Sequence, residues 1–211
     1  MLFTQTVRTE TLELLKRLMA DGNLPAFRLV GGTALALMMG HRVSVDLDLF
    51  TDTSFNEQEL REYLEQHYGL QTEFLAKETV KGVIDEVQID CIAHTYSWLE
   101  AEVTENGIRL ASIEDICAMK LNAIAGNGTR IKDFIDIAYL SSRFSFNQML
   151  KFYEEKYKSS IMMPIKAITY FDEINLNEPV RMLDGNNPNW KLISKRLQKM
   201  QANPDKVFEK L

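Results

Sequence analysis

The spacing of hydrophobic residues changes along the chain, and these changes predict where helices and strands lie. Between positions 6 and 19 apolar residues recur every three or four positions, which predicts an amphipathic first helix. Residues 26–30 then predict a short buried strand, and Gly31-Gly32 a tight turn. Residues 33–39 predict a second helix, with the Thr33 hydroxyl as its N-terminal cap. The predicted order is strand, glycine turn, helix.

Strict alternation of apolar and other residues follows at positions 43–50. Odd-numbered residues such as Val45 and Leu47 would lie on one face of the strand, and even-numbered ones on the other. Asp46 and Asp48 both occupy even positions. The pattern therefore predicts one strand over 43–50 that carries two carboxylates on the same face.

Further elements follow the same logic. Residues 56–68 predict a helix, and residues 70–75, 80–84 and 87–93 predict three strands separated by polar turns. Asp90 is a solitary acid in the last, otherwise apolar strand. Beyond about Arg109 helical patterns begin at Ser112 and continue to the C-terminus, with glycine and proline breakers between them. We expect an α+β fold, with a mixed sheet in residues 1–110 and a helical lobe in residues 111–211.

Composition adds few constraints. The 211 residues are 45% hydrophobic and 26% charged, which is typical of a soluble globular protein. The longest apolar stretch, residues 27–39, is shorter than the ~20 residues that span a bilayer, and the N-terminus lacks the apolar core of a secretory signal. We therefore expect a cytoplasmic protein with no membrane segment. Cys91 and Cys117 stand in apolar contexts that predict buried thiols.

The formal net charge of −6 argues against nonspecific polyanion binding over the whole surface. A local basic patch remains compatible with nucleic-acid binding. The C-terminal region offers one, on a predicted helix around Trp190 and Leu197, although a solvated helix face is the favoured explanation for it. The basic residues are Lys191, Lys195, Arg196 and Lys199.

The strongest candidate chemistry lies in Asp46 and Asp48. Two acids at i and i+2 of a strand project side by side, about two rises of ~3.3 Å apart, so both can reach one divalent cation. The simpler alternative is a solvated strand face or the start of a loop. Apolar neighbours make burial of the acids costly without a positive charge, and a metal ion such as Mg²⁺, or Mn²⁺ in its place, would supply that charge.

The glycine pair complements these acids. A turn without side chains at Gly31 and Gly32 lets phosphate approach backbone N–H groups, and the following helix N-terminus favours negative charge. Thr33 could also donate to a phosphate. Arg42, in the next connection, is a candidate to brace a carboxylate or bind phosphate, with a loop salt bridge as the alternative. Together these features predict a site for a nucleoside triphosphate with magnesium.

Two segments carry a family resemblance. Residues 29–35, Leu-Val-Gly-Gly-Thr-Ala-Leu, followed by residues 41–50, His-Arg-Val-Ser-Val-Asp-Leu-Asp-Leu-Phe, resemble the AbiEii/AbiGii nucleotidyltransferase toxin family. Residues 118–123, Ala-Met-Lys-Leu-Asn-Ala, and 130–136, Arg-Ile-Lys-Asp-Phe-Ile-Asp, are similar to that family's second, helical block. The C-terminal seventy residues match only in helical character.

The resemblance implies a polymerase-beta-like nucleotidyltransferase core in residues 1–110 and a helical lobe in 111–211 that completes the nucleotide site. It implies that Asp46 and Asp48 hold the metal, with Asp90 as a third carboxylate and general base. The alternative for Asp90 is an edge-strand acid facing water.

In the helical block, Lys120 resembles the family lysine that contacts the nucleotide's phosphates. Lys132 and Asp136 are further candidates for nucleotide binding, alongside Arg130 and Asp133. Because Lys132 and Asp136 are four residues apart, an ion pair on one helix face is the simpler explanation for them.

The expected activity is magnesium-dependent transfer of a nucleotide from a nucleoside triphosphate to an acceptor hydroxyl. The resemblance implies transfer RNA or a protein residue as acceptor, and a toxin paired with a cognate antitoxin protein in phage defence. Two alternatives stay open. One is a nucleotidyltransferase acting on an aminoglycoside-like small molecule, and the other is a non-catalytic module that binds triphosphate and acts through a partner.

Overall fold

The computed structural model describes residues 1–211, which divide into two units. The first unit contains Met1–Ser97 and Ala101–Ala111, and the second contains Trp98–Glu100 and Ser112–Leu211. All seven strands lie in the first unit, and five of the eight α-helices lie in the second. The α+β class predicted from the sequence is confirmed.

The first unit is built on one mixed sheet. In spatial order its strands run β3-β4-β5-β2-β1-β7-β6. The pairs β2–β5 and β1–β7 are parallel and the other neighbours are antiparallel. The strands are β1 (Arg28–Leu29), β2 (Leu47–Thr51), β3 (Gln71–Ala76), β4 (Thr79–Ile84), β5 (Val87–Ala93), β6 (Val103–Glu105) and β7 (Ile108–Leu110).

Three α-helices accompany the sheet, after a short 3-10 helix at Thr4–Thr6: α1 (Thr9–Ala20), α2 (Gly31–Met39) and α3 (Glu57–Tyr68). The α3 helix starts where the Asn56 side chain accepts hydrogen bonds from two backbone N–H groups, and it ends at Gly69, whose φ is 69°. These are standard helix-boundary signals, so α3 closely follows the sequence prediction.

One predicted strand is shorter than expected. The alternating segment 43–50 forms a strand only from Leu47, so Asp46 precedes β2 and Asp48 lies within it. Val45, predicted to share a strand face with the buried Leu47, is 45% exposed, whereas Ser44 is 8% exposed. The physical reason is that Ser44 is drawn inward, because its N–H donates to the Thr6 carbonyl at 2.9 Å.

The β6–β7 hairpin was missing from the sequence prediction. Its two strands have three residues each and are joined at Asn106-Gly107, where both residues have positive φ. An Asn-Gly pair between short apolar-alternating segments is a strong hairpin signal. The hairpin could therefore have been found from the sequence.

The second unit is helical. Its elements are α4 (Ile113–Asn127), α5 (Ile131–Leu140), α6 (Phe146–Tyr157), α7 (Met162–Ala167) and α8 (Trp190–Ala202). Ser112 caps α4 by accepting a hydrogen bond from the Asp115 N–H, as its sequence position predicted. Ser145 caps α6 in a full capping box with Gln148.

A buried ion pair organises the core of this unit. Lys156 and Asp115 have fully buried side chains, and their charged atoms lie 2.7 Å apart. The Asp115 carboxylate also accepts hydrogen bonds from Ser112 and from the backbone N–H groups of Leu99 and Glu100. This pair therefore ties the segment Trp98–Glu100 to the helices.

The helices and the two cysteines bear on two further expectations, the absence of a membrane segment and the burial of the thiols. None of the helices has the length and apolar character needed to cross a membrane. Cys91 and Cys117 are free and buried, so the buried-thiol prediction is confirmed. Burial raises the pKa of the Cys91 thiol to about 12 and raises the pKa of Cys117 above its usual range.

Candidate functional site

The glycine bend meets the predicted metal-binding strand directly. Gly31 has a φ of 67°, in the left-handed region that favours glycine, and a Cβ added there would lie 2.1 Å from Asp48 Oδ2. The N–H of Val30 also donates to the Asp48 carbonyl at 2.9 Å. Only glycine fits this position while the Asp48 carboxylate keeps its place.

Gly32 is close to a second set of side chains. A Cβ at Gly32 would lie 2.3 Å from Nη2 of Arg42 and 3.3 Å from the Ser44 hydroxyl. Arg42 is only 2% exposed, and its Nη1 donates to the Val43 carbonyl at 3.2 Å. Arg42 therefore lies buried against the start of α2 rather than in an open loop.

Thr33 does not cap α2, so that prediction is wrong. The helix begins after Val30, and no side chain caps it. Thr33 is 1% exposed, and its hydroxyl forms a 2.9 Å hydrogen bond with the Ser44 hydroxyl and donates to the Asp46 carbonyl. These partners lie inside the unit, which explains why the hydroxyl does not turn toward the helix N-terminus. Binding of phosphate by Thr33 stays a prediction.

Asp90 lies beside Asp48 in the sheet. The parallel strands β2 and β5 pair Asp48 with Asp90, so the two acids occupy neighbouring ladder positions. Strand β5 lies between β4 and β2, which shows that the edge-strand alternative for Asp90 is wrong. Both acids are partly buried, and their closeness requires compensating positive charge.

Part of that charge comes from a residue that the sequence analysis missed. Lys81 of β4 pairs with Asp90 in register, and its ammonium group forms an ion pair with Oδ2 of Asp90. The side chains of Lys81 and Asp90 are 34% and 20% exposed. One row across three strands thus carries Lys81, Asp90 and Asp48. Sequence spacing alone gave no sign of this pair, because it depends on the register of two strands.

The donors in this unit fit a magnesium ion chemically. Mg²⁺ prefers carboxylate oxygens and usually takes one or two from the protein, with substrate phosphates and water completing its shell. Asp48 offers such oxygens directly against Gly31, and Asp46 lies two residues before it in the chain. The structure shows no ready-made group of three His, Cys, Asp or Glu side chains with metal-ligand spacing. The assignment of Asp46, Asp48 and Asp90 as metal ligands therefore stays a prediction.

The candidate residues of the second unit form a separate charged cluster. Lys120 of α4 is 6% exposed, and its ammonium group lies 2.7 Å from Asp133 and 2.8 Å from Asp136 of α5. Lys132 instead pairs with Glu178 at 3.1 Å. The simple Lys132–Asp136 helix pair is therefore wrong, because Asp136 turns into the core toward Lys120. Roles for Lys120, Lys132 and Asp136 in nucleotide binding stay predictions.

The basic C-terminal helix separates into a buried and an exposed side. Leu197 is fully buried in α8, whereas Lys191, Lys195 and Lys199 are exposed. Arg196 donates to the Ser141 hydroxyl and to the Glu209 carbonyl, both at 2.9 Å. The exposed lysines are four residues apart, which puts them along one face of the helix.

Comparison with known proteins gives a family and a fold. The model of the family described as "Nucleotidyl transferase AbiEii toxin, Type IV TA system" matches residues 13–104 and 86–209. An Aquifex aeolicus protein described as "Uncharacterized protein aq_aa25" is 28% identical over 174 residues, which is 79% of this chain and 84% of that protein.

Two solved structures share the fold at low sequence identity. MenT4, a nucleotidyltransferase toxin of Mycobacterium tuberculosis, superposes with a TM-score of 0.57 at 13% identity over 92% of this chain and 85% of MenT4. JHP933 of Helicobacter pylori gives a TM-score of 0.54 at 16% identity over 94% of this chain and 93% of that one. Because the family model spans nearly the whole chain, this protein belongs to the AbiEii family of nucleotidyl transferase toxins of Type IV toxin–antitoxin systems.

Proposed function

We propose that this nucleotidyltransferase moves a nucleotide from a nucleoside triphosphate to an acceptor hydroxyl, with Mg²⁺ held by Asp46 and Asp48. Mn²⁺ would serve in its place. The observation that carries the proposal is the direct meeting of Gly31 with the Asp48 carboxylate, where a Cβ would come within 2.1 Å of Oδ2. It sets a side-chain-free helix start beside an acid, as a metal-bound triphosphate requires.

Different residues of the first unit would bind the phosphates, hold the metal ion and support the site. Backbone N–H groups at the start of α2 would bind phosphate oxygens, because no side chain caps the N-terminus of this helix. Asp46 and Asp48 would orient the α-phosphate through the metal ion, which supplies charge neutralisation on the phosphate oxygens when bound. Buried Arg42 would hold the segment before β2 in place rather than bind phosphate itself.

Asp90 would act as the general base. The acceptor oxygen attacks the α-phosphorus, the bond from that phosphorus to the α–β bridging oxygen breaks, and pyrophosphate leaves. Asp90 takes the hydroxyl proton, and its place beside Asp48 puts it next to the metal ligands. Lys81 offsets the repulsion between the two neighbouring carboxylates through its ion pair with Asp90.

Transfer RNA is the first acceptor that we propose, and a cognate antitoxin is the proposed protein partner. The family assignment supports a toxin paired with an antitoxin. A polyanionic acceptor also suits the three exposed lysines of α8, Lys191, Lys195 and Lys199, none of which has an acidic partner within 4.0 Å.

One observation favours a cationic small molecule as a second candidate acceptor. The first unit has a cavity of about 510 Å³ lined by Glu10, Asp85 and Glu86, and by Val45, the residue before Asp46. Three acids with one arginine, Arg8, would attract an amino sugar. The third possibility, a binding module without turnover, is disfavoured because the family is one of nucleotidyl transferases.

The test uses triphosphates labelled at the α-phosphate, Mg²⁺, and either total cellular RNA or a cationic amino sugar. Wild type should release pyrophosphate and label one acceptor, and the Asp46→Asn/Asp48→Asn variant should do neither while keeping its melting temperature. Asp52→Asn is the matched control, because Asp52 is an exposed acid that directly follows β2. Activity retained by the double variant would refute the proposal.

A further inference from the structure

The segment that carries Asp46 has an unusual means of support. Asp48 lies within β2, where pairing with β5 and the Val30 N–H hold its backbone. Asp46 precedes the strand and has no place in that ladder. The two proposed metal ligands are therefore held differently: strand pairing holds the backbone of Asp48, and local contacts hold that of Asp46.

The contact at Asp46 comes from a buried hydroxyl pair. Thr33, in the first turn of α2, donates to the Asp46 carbonyl and forms a 2.9 Å hydrogen bond with the Ser44 hydroxyl. The two residues are 1% and 8% exposed, so water does not compete freely for these groups. The Ser44 N–H donates in turn to the Thr6 carbonyl at 2.9 Å. The pair thus joins α2 to residues 44–46.

Gly32 allows this close approach. A Cβ on Gly32 would lie 3.3 Å from the Ser44 hydroxyl, a tight contact, and 2.3 Å from Nη2 of Arg42, so the buried guanidinium would have to shift. The absence of a side chain at Gly32 thus serves packing inside the first unit, in addition to the proposed binding of phosphate at the start of α2. It lets residues 42–44 pack against the start of the helix.

We propose that Thr33 and Ser44 form a hydroxyl clasp that fixes Asp46 relative to the glycine bend, making both of them positioning residues for the metal site. This inference rests on the proposed function, since it assumes that Asp46 binds the metal ion. Metal sites need their ligands held within about 0.5 Å of the productive geometry. Losing the clasp should free Asp46 while leaving Asp48 in its strand.

The informative change is Thr33→Val, which removes the hydroxyl and keeps the side-chain shape. A ligand displaced by about 1 Å can cost about 100-fold in rate. We expect Thr33→Val to lower kcat by about 10- to 100-fold and to raise the Mg²⁺ concentration for half-maximal activity about 10-fold. The KM for the triphosphate, measured at saturating Mg²⁺, should change little. Thr33→Ser keeps the hydroxyl and should restore most of the activity.

The matched control is Thr51→Val. Thr51 is a buried threonine of β2, 1% exposed, and its hydroxyl accepts only from the nearby Thr53 N–H at 3.2 Å. It lies on the opposite face of the strand from Asp48. Any loss shared by Thr33→Val and Thr51→Val would reflect lost stability rather than lost positioning.

Two readouts do not require turnover. Amide hydrogen exchange in residues 44–46 of the metal-free protein should be faster in Thr33→Val than in wild type or Thr51→Val. Mn²⁺ affinity in the presence of a non-hydrolysable triphosphate, measured by electron paramagnetic resonance, should fall about 10-fold in Thr33→Val and recover in Thr33→Ser.

The outcomes separate the two ideas. If wild type binds Mn²⁺ but transfers no nucleotide, the proposed function fails, and the exchange rates and Mn²⁺ affinities still decide on the clasp. The clasp is overturned if Thr33→Val matches wild type in exchange and Mn²⁺ affinity, or loses no more than Thr51→Val. It is also overturned if wild type binds no Mn²⁺.

Discussion

Replacing Gly31 by alanine tests the meeting of the glycine bend with Asp48. The added Cβ would lie 2.1 Å from Oδ2 and 3.0 Å from Cγ of Asp48, and ordinary contact begins at 3.4 Å. The nearer atom is thus about 1.3 Å too close, so the carboxylate, the bend or both must move. The backbone is also strained, because Gly31 has a φ of 67°.

Two costs add for this variant. A residue with a Cβ in the left-handed region costs about 1–2 kcal/mol, and overpacking costs about 1–3 kcal/mol. Alanine also restricts the unfolded chain, which returns about 0.4–1 kcal/mol. We expect a net loss of about 1–4.5 kcal/mol in the free energy of unfolding. Displacing the Asp48 carboxylate by about 1 Å should also slow nucleotide transfer about 100-fold.

Two other glycines provide matched controls. Gly69 has a φ of 69° with nothing within 4 Å of an added Cβ, so Gly69→Ala reports the backbone strain alone. Gly22 has open space and no positive φ, so Gly22→Ala reports the substitution without strain or overlap. Urea denaturation and label transfer should be measured on all three variants. The reasoning is refuted if Gly31→Ala is as stable and as active as Gly69→Ala.

Three further predictions concern stability and reactivity. Lys156→Met leaves the Asp115 carboxylate buried without its cation, so the free energy of unfolding measured in urea should fall by about 3–5 kcal/mol. Adding Asp115→Asn should restore part of this loss. An unchanged denaturation midpoint in Lys156→Met would contradict the prediction. The pKa of Asp21 is lowered from 3.8 to about 2, chiefly by the hydrogen bond from the Asn23 N–H, so its ionised form stabilises the folded state. That stabilisation is complete above about pH 4 and is lost as the pH falls toward 2. Between about pH 4 and pH 2, the melting temperature of wild type should therefore fall more steeply than that of Asp21→Asn. Cys91 and Cys117 are buried, with raised pKa values, so iodoacetamide at pH 8 should label them only after unfolding, and rapid native labelling would contradict their placement.

Local patterns predicted the elements whose stabilisation is local or periodic. The α3 helix begins at its Asn56 cap and ends at Gly69, and both signals are recognisable in the sequence; β4 and most of β5 alternate between buried and partly buried residues. Asp90 was predicted in an otherwise apolar strand, and β5 is such a strand, lying inside the sheet between β4 and β2. These features depend on residues a few positions apart.

Features that depend on distant partners were missed. Residues 43–46 alternate like a strand, but hydrogen bonds of Ser44 to Thr6 and Thr33 pull the segment out of the sheet pattern. The Lys81–Asp90 pair depends on strand register. Spacing along one helix suggested a Lys132–Asp136 pair as an alternative, but it could not show that Asp136 pairs with Lys120 of the neighbouring helix.

Binding of Mn²⁺ by wild type and by Asp46→Asn/Asp48→Asn shows whether Asp46 and Asp48 form the metal site. Each protein is titrated with a non-hydrolysable triphosphate present, and binding is followed by electron paramagnetic resonance. We expect saturable binding in wild type that weakens at least about 100-fold in the double variant, because each lost carboxylate removes a charged ligand. Equal Mn²⁺ affinity in the two proteins, with both folded, would contradict the claim that these acids form the metal site.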